Sequence, residues 1–573
     1  MQVTNRINFN NLRGDIFGGL TAAVIALPMA LAFGVASGAG PVAGLYGAVL
    51  VGFFAALFGG TPTLISEPTG PMTVIMTAVI AKLTAADPEN GLAMAFTVVM
   101  MAGVFQILFG MLRLGKYVTL MPYTVISGFM SGIGIILIIL QLAPFLGQAA
   151  PKGGVVGTLQ NLPNLLANVQ LPELGLALLS VAILFLMPSK FKRILPPQLV
   201  ALVVGTIVSL MLFGGEADAI RRIGPIPSAL PSPQLPVFSI DQWQVMTIDA
   251  LVLAMLGCID ALLTSVVADS LTRTQHNSDK ELIGQGLGNL FSGMFGGLAG
   301  AGATMGTVVN IQTGARTALS GLVRAFVLMI VVLGASNLTA AIPLAVLAGI
   351  ALKVGFDIID WSFLKRAHRV SIKGAMIMYG VILLTVFVDL ITAVGIGVFV
   401  ANILTIKRLS DLQAQEVRAI TDADDQITLT PEEQELMAAA DNRLLLFQLS
   451  GPMIFGVSKA ISREHQAVAN VDVLILDISD VPHLGVTSSL ALEGAIQDAL
   501  DQRREIFIVG ASGQTKRRLE KLGVLAHVPP QNLLGDRVEA MRQAVAHIQG
   551  NSALRASYES RSGDSGSSAM LPN

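Results

Sequence analysis

The stretch from Gly296 to Thr307 constrains this chain more than any other. Five of its twelve residues are glycine, and it lies inside a very apolar region. Each glycine in a helix interior costs about 1 kcal/mol relative to alanine, which disfavours one continuous helix here. Inside a membrane, non-helical backbone persists only where protein covers it or where it lines a polar cavity. The stretch therefore predicts that one helix ends and another begins near Ala303, at one half of a solute-binding site.

Composition places most of the chain in a membrane. Hydrophobic residues make up 53% of the sequence and charged residues 13%, against about 25% charged in a soluble domain. The long apolar runs stop near residue 407. We predict a transmembrane domain over 1–407, a polar linker over 408–441, a soluble α/β domain over 442–550 and a disordered tail over 551–573. The net charge of −2 argues against a nucleic-acid partner, and the single Cys258 excludes a disulfide framework.

Apolar runs predict about fourteen membrane spans. They lie near 15–36, 41–59, 71–83, 93–113, 118–144, 172–188, 196–214, 245–268, 283–296, 304–314, 316–335, 337–354, 372–388 and 389–407. Basic residues concentrate in alternate loops, which favours cytoplasmic N- and C-termini in an inner (plasma) membrane. These residues are Arg113, Lys116, Lys190, Lys192, Arg193, Arg273, Lys280, Lys365, Arg366, Arg369 and Lys373, whereas Arg221 and Arg222 fall on the opposite side.

The third and tenth spans are short, and each follows an irregular stretch. The first stretch is 61–71, with four Thr and Ser residues, three Pro, Glu67 and Gly70, and the second is 296–307. They hold the same place in two sets of seven spans, and an odd number of spans gives the sets opposite orientations. Paired interruptions in corresponding halves indicate a transporter's site near the bilayer midplane. We therefore predict seven-plus-seven inverted repeats with two half-helices.

Asp260 is a carboxylate within an apolar span, and Thr264 follows one turn later on the same helix face. A buried charge in a span is costly, so it is expected to face a cavity and a partner. Carboxylate, hydroxyl and backbone carbonyl oxygens are hard ligands suited to a small cation such as Na⁺. Carbonyls near Gly302 would complete such a site. Proton exchange at Asp260, or a purely structural role, remain alternatives.

Each irregular stretch also begins a helix, and a helix N-terminus attracts anions. Thr69 at the first break and Thr304 at the second would add hydroxyl groups, although both residues are equally suited to simple helix capping. Neither stretch contains Lys or Arg, which favours a small, singly charged anion. Glu67 either lines the cavity or caps the short helix. No nucleophile, metal or phosphate-loop pattern indicates an enzyme.

The soluble domain is predicted from alternating apolar strands and helices. Strands are expected over 443–450, 472–479 and 505–510, and helices over 488–502, 514–522 and 536–548.

Several motifs resemble the sulfate permease family of anion transporters. They are Gly40-Pro41, Gly44-Leu45-Tyr46-Gly47, Glu67-Pro68-Thr69-Gly70-Pro71 and Thr307-Val308-Val309-Asn310, and the segment from Asp477 to Pro482 resembles a STAS domain. The resemblance implies a core domain that moves against a gate domain, and a homodimer formed through the STAS domain. Within the family it is strongest to sodium-dependent bicarbonate transporters. It implies Na⁺ at Asp260, Thr264, Gly302, Ala303 and Thr304, and bicarbonate near Thr69, Ala303 and Thr304.

Two positions depart from the family pattern. Many members carry an arginine where this chain has Gly306, and a bound Na⁺ would replace that charge beside the anion. The Asp-Ser pair of phosphorylated STAS domains is replaced by about Gly485-Val486, with Thr487 and Ser488 nearby. We expect a Na⁺-coupled bicarbonate symporter that works by alternating access, with membrane lipid and a second copy of the chain as its partners. The alternatives are a proton-coupled sulfate or dicarboxylate transporter and an anion channel.

Overall fold

The computed structural model describes residues 4–5, 9–118, 122–188, 191, 195–213, 219–225, 231–334, 339–388, 390–415, 417–420, 429–454 and 471–563. The chain divides into two compact units, Met1–Ala401 and Asn402–Asn573. The predicted loop residues Lys190, Lys192 and Arg193, and the tail beyond 563, lie outside the described residues.

Helices occur at all fourteen positions where the sequence predicts spans. They are α1 (Leu12–Ser37), α2 (Pro41–Phe58), α3 (Gly70–Ala86), α4 (Gly91–Met111), α5 (Tyr123–Phe145), α6 (Leu171–Leu186), α7 (Pro197–Phe213), α8 (Trp243–Thr272), α9 (Ser278–Met294), α10 (Thr304–Gln312), α11 (Leu319–Gly334), α12 (Leu344–Ile358), α13 (Ile372–Phe387) and α14 (Leu390–Gln415). Two-residue strands β1 (Ser66–Glu67) and β2 (Ala301–Gly302) precede α3 and α10. By length and composition, five of the described helices are able to cross a membrane, namely α1, α2, α4, α5 and α8.

Local sequence sets several helix ends. Pro41 stands at the first position of α2, where its fixed φ angle suits a helix start. Gly38 ends α1 in the left-handed conformation, with φ of 81°. Asn277 caps α9 by accepting the backbone N–H of Lys280 at 3.0 Å.

The helices of the first unit pack in two groups. In one group, α9 packs on α2 and α4, α8 packs on α4, and α11 packs on α1 and α2. In the other, α5 packs on α12 and α13, and α6 packs on α7 and α12. Contacts between the groups include α1 with α12 and α3 with α5. Both interrupted segments belong to the first group.

The soluble unit contains a five-stranded sheet in the order β3 (Val417–Ile420), β4 (Leu444–Ser450), β5 (Val473–Asp480), β6 (Glu505–Val509) and β7 (Leu533–Leu534). Only β3 is antiparallel to its neighbour. Its helices are α15 (Pro431–Ala439), α16 (Val486–Asp501), α17 (Gly513–Lys521) and α18 (Arg537–Gly563). Leu492 of α16 packs on one face of the sheet, and Met437 of α15 and Met541 of α18 pack on the other.

The predicted linker over 408–441 is wrong in part, because this segment joins the soluble fold. α14 continues to Gln415, β3 pairs with β4, and α15 begins at a capping box formed by Thr430 and Glu433. Only one side of α15 is buried, so most of its residues are polar or acidic. Its composition therefore resembles that of a linker. The tail prediction over 551–573 also begins too early, since α18 reaches Gly563.

Candidate functional site

The two interrupted stretches meet in the structure. β1 and β2 pair in antiparallel register, with Ser66 opposite Gly302 and Glu67 opposite Ala301. The backbone N–H of Ala303 donates to the Ile65 carbonyl at 2.7 Å, which extends the pairing. The predicted end of one helix and start of another near Ala303 is confirmed, because α9 ends at Met294 and α10 begins at Thr304. The starts of α3 and α10 therefore lie side by side.

Polar side chains on one face of α9 form hydrogen bonds with backbone groups at both breaks. Gln285 donates to the hydroxyl of Ser66 at 2.6 Å, and Asn289 exchanges two hydrogen bonds with the backbone of Gly300. Glu281 accepts the N–H groups of Gly60 and Thr61, each at 2.8 Å. Buried backbone groups need such partners. The spacing of four residues from Glu281 to Gln285 to Asn289 is the sequence signal for this face, and our sequence reasoning overlooked it.

Asp260 of α8 lies against the first break. Its carboxylate accepts a hydrogen bond from the Thr69 hydroxyl at 2.7 Å. Asp260 and Thr69 are 7% and 8% exposed, so the contact is almost completely removed from solvent. The structure thus brings together the predicted cation ligand and the predicted anion-binding hydroxyl.

One turn further along α8, Thr264 lies against the second break. Its hydroxyl donates to the Gly302 carbonyl at 2.9 Å and lies 2.9 Å from the hydroxyl of Thr304. Thr264 is fully buried and Ala303 is 8% exposed, whereas Thr304 is exposed. The predicted residues therefore form a strip of oxygen atoms along one face of α8, open at the α10 end.

Neither predicted threonine acts as a simple helix cap. Thr69 is the residue before α3, but its side chain makes no capping hydrogen bond and donates to the Asp260 carboxylate instead. Ala303 precedes α10 and has no hydroxyl, so Thr304 lies inside the first turn. The hydroxyl groups are consequently directed to α8 rather than to the helix ends.

Glu67 has a partner that sequence reasoning missed. It neither caps α3 nor stands alone, because it forms an ion pair with Arg324 of α11, a side chain that is completely buried. An arginine inside an apolar run is itself a signal of a specific intramembrane partner. At Gly306, an added Cβ would lie 3.1 Å from the Ile65 side chain and 3.7 Å from Glu67 Oε1, so this glycine of α10 borders the same pair.

Two family models match separate parts of the chain. The sulfate permease family model matches residues 12–381 and the STAS domain model matches residues 435–539. The chain belongs to the sulfate permease family. This confirms the resemblance inferred from the sequence and the fold class of a helical membrane unit followed by an α/β STAS domain.

Related proteins cover nearly the whole chain. The chain is 71% identical over 550 residues to the bicarbonate transporter BicA of Picosynechococcus sp., covering 96% of this chain and 97% of that protein. It is 70% identical over 545 residues to the BicA protein of Synechocystis sp., covering 95% and 96%. A putative sulfate transporter of Bacillus subtilis, YvdB, is 30% identical over 536 residues, covering 92% and 96%.

Solved structures agree with the fold. The transmembrane domain of a cyanobacterial bicarbonate transporter BicA is 74% identical, with a TM-score of 0.66, and covers 69% of this chain and 100% of that domain. SLC26A9 shares 19% identity and has a TM-score of 0.78 over 96% of this chain and 92% of its own, a likeness of fold alone.

In the STAS domain, the residues near the departure from the phosphorylated pattern occupy the start of α16. Gly485 precedes the helix and Val486 is its exposed first residue. Ser488 is 1% exposed, whereas Thr487 is exposed. The buried Ser488 is therefore poorly placed for modification.

Proposed function

We propose that this chain is a secondary transporter that carries bicarbonate together with Na⁺ by alternating access. Membership of the sulfate permease family supports anion transport. The choice of bicarbonate rests on two relatives named bicarbonate transporters that are at least 70% identical over almost their full length. The residues around Asp260 support Na⁺ coupling and the position of the site.

The observation that carries the coupling is how the buried carboxylates are partnered. Among the described residues of the membrane unit, Glu67 and Glu173 pair with arginines, and Glu281 accepts two backbone N–H groups. Asp260 is as buried as these groups, but the one hydrogen bond it accepts among the described residues is from the Thr69 hydroxyl. A buried carboxylate with so little compensation is stabilised by binding either a proton or a cation, and the neighbouring oxygen atoms favour Na⁺ over a soft metal.

The Na⁺ ion would bind to the Asp260 carboxylate with oxygen atoms of Thr264 and Thr304 and the backbone of Gly302 and Ala303. The bound cation would cancel the charge of Asp260 and leave the N-termini of α3 and α10 free to attract an anion. Bicarbonate would then lie near Thr69, Ala303 and Thr304. In this arrangement each ion makes the other's binding more favourable, which is the thermodynamic basis of coupling.

Alternating access is supported by the position of the site. Both breaks belong to the group of α1–α4 and α8–α11, and they face helices of the other group. A Cβ added to Gly70, next to Thr69, would lie 2.3 Å from Ile358 of α12, and Met305 of α10 contacts Gln198 of α7 at 3.6 Å. Movement of one group past the other would carry the site across the membrane without dismantling it. Thr304 is exposed in the first turn of α10.

The test is uptake of labelled bicarbonate into proteoliposomes that contain the purified protein. An inward Na⁺ gradient is expected to accelerate uptake over an equal K⁺ gradient, with membrane potential and pH clamped. Uptake that follows a proton gradient and ignores Na⁺ would contradict the proposal and support proton coupling at Asp260. Currents far above carrier turnover would identify a channel.

A further inference from the structure

Arg324 of α11 is a completely buried charge at the back of the two breaks. Its guanidinium forms an ion pair with Glu67, which is 5% exposed. Its Nη1 also donates to two backbone carbonyls, that of Ala48 in α2 at 3.1 Å and that of Ser66 in β1 at 2.9 Å. One side chain therefore joins α11, α2 and the strand that precedes α3.

The neighbouring helix leaves space for this guanidinium. Gly52 lies one turn after Ala48 on α2, and a Cβ at Gly52 would lie 2.4 Å from Nη1 of Arg324. Any larger residue at Gly52 would displace the guanidinium from its carbonyl partners. The arginine, the glycine and the two carbonyls thus form one fitted contact.

The contact is close in sequence to both halves of the proposed site. Glu67 stands two residues before Thr69, whose hydroxyl meets Asp260. Ser66 is paired with Gly302, whose carbonyl meets Thr264. A shift of β1 would therefore move Thr69 and Gly302 together relative to α8.

We infer that Arg324 and Glu67 are positioning residues, which hold β1 so that Thr69 and Gly302 stand at the correct distance from α8. The inference rests on the proposed function for its effect on transport, because only then do these two residues bind ions. The pair is electrically neutral as a unit, so it leaves the Na⁺-binding carboxylate without a competing cation. Its contribution is geometric.

The first experiment uses Arg324→Lys and the double variant Glu67→Gln/Arg324→Gln, each in the full-length protein. Lysine keeps the charge opposite Glu67 but lacks the planar fork that reaches Ala48 and Ser66 at once. The double variant removes both charges, so no unpaired charge is left buried. Losing the hydrogen bonds to Ala48 and Ser66 is expected to raise the half-saturation concentrations for Na⁺ and bicarbonate about tenfold or more.

The control is a second carboxylate–guanidinium pair, Glu173 with Arg221, whose N–O distance is 2.8 Å; Glu173 is buried and Arg221 is partly exposed. Glu173→Gln/Arg221→Gln removes the same chemical groups from a pair whose hydrogen-bond partners lie outside both breaks, so its half-saturation concentrations are expected to match the wild type. The size-exclusion elution profile and the thermal unfolding temperature of each variant show whether it is folded. Wild-type half-saturation in a folded Arg324→Lys protein would overturn the inference.

A second readout does not depend on transport. Thr69→Cys is introduced with Cys258→Ala, since Cys258 is the chain's single cysteine and is 1% exposed. The rate of labelling by a small methanethiosulfonate is then compared with and without Arg324→Lys. A change of threefold or more supports positioning of Thr69, and an equal rate refutes it. Absence of Na⁺-driven uptake in the wild type would refute the proposed function while this labelling result still decides the role of Arg324.

Discussion

Replacing Asp260 with asparagine tests the proposed Na⁺ site directly. Asparagine has nearly the same shape, and its amide oxygen is able to keep the 2.7 Å hydrogen bond from Thr69. The substitution therefore removes the charge and little else. Because the position is 7% exposed, solvent does not replace the lost interaction.

The size of the effect follows from burial. Removing one partner of a buried charge pair costs about 3–5 kcal/mol, and each 1.4 kcal/mol is a factor of about ten in affinity. The half-saturation concentration for Na⁺ is thus expected to rise at least about a hundredfold in Asp260→Asn. Stimulation by Na⁺ would then disappear over the usable concentration range.

The assay is labelled bicarbonate uptake in proteoliposomes across a series of Na⁺ concentrations at constant ionic strength. Asp249→Asn is the matched control, because Asp249 lies on the same helix and pairs at 3.6 Å with Lys82, a mostly exposed side chain. Its Na⁺ dependence is expected to stay near the wild type. A half-saturation concentration for Asp260→Asn within threefold of the wild type would refute the Na⁺ site at this carboxylate.

Three further predictions concern other parts of the molecule. Thr69→Ala is expected to raise the bicarbonate half-saturation concentration about tenfold by deleting one buried hydrogen bond, and Thr69→Ser to restore it; equal kinetics in both variants would contradict the role of the hydroxyl. Gly302→Ala places a Cβ 3.1 Å from both α8 backbone and side-chain atoms, whereas one at Gly175 meets nothing within 4 Å, so only the former substitution is expected to weaken Na⁺ dependence in the same uptake assay. In the soluble unit, burial alone would raise the pKa of Glu433, but hydrogen bonds, above all that from Arg537, outweigh it and lower the pKa from its ordinary value. This interaction stabilises the unit fully above about pH 4.5 and is lost as pH falls through the lowered folded-state pKa; Arg537→Met is expected to destabilise α15 at neutral pH, measured by hydrogen exchange from pH 7 to pH 3, and unchanged exchange at pH 7 would refute it.

Much of the fold was predictable because membrane insertion imposes a simple rule. A helix satisfies its own backbone, so apolar runs of suitable length must be helical, and the positions of all fourteen helices follow from composition. Glycine and proline clusters mark where helices cannot continue, which located the breaks at residues 61–71 and 296–307. The soluble unit was harder, because α15 buries one face while its composition is that of a linker.

The candidate site was predictable where a polar residue lies in an otherwise apolar helix. Asp260 is conspicuous in an apolar helix, and Thr264 follows it by the periodicity of that helix. The pairing of Glu67 with Arg324 was not predictable in this way, because 257 residues separate them and no local pattern relates them. The polar face of α9 differs from this pair, because the spacing of four residues from Glu281 to Gln285 to Asn289 marks it in the sequence, although the spacing does not reveal its partners.

The glycine-rich stretch shows which features the local sequence determines and which features depend on the tertiary structure. By itself the sequence determined that the helix must break between Gly296 and Thr307, because the cost of repeated glycines is a local property of the backbone. Only the tertiary structure decided what the break contacts, since β1 and α8 approach it from other parts of the chain and Asn289 of the preceding helix α9 folds back on Gly300. Long-range packing places Gly302 and Thr304 against Thr264, and Thr69 against Asp260.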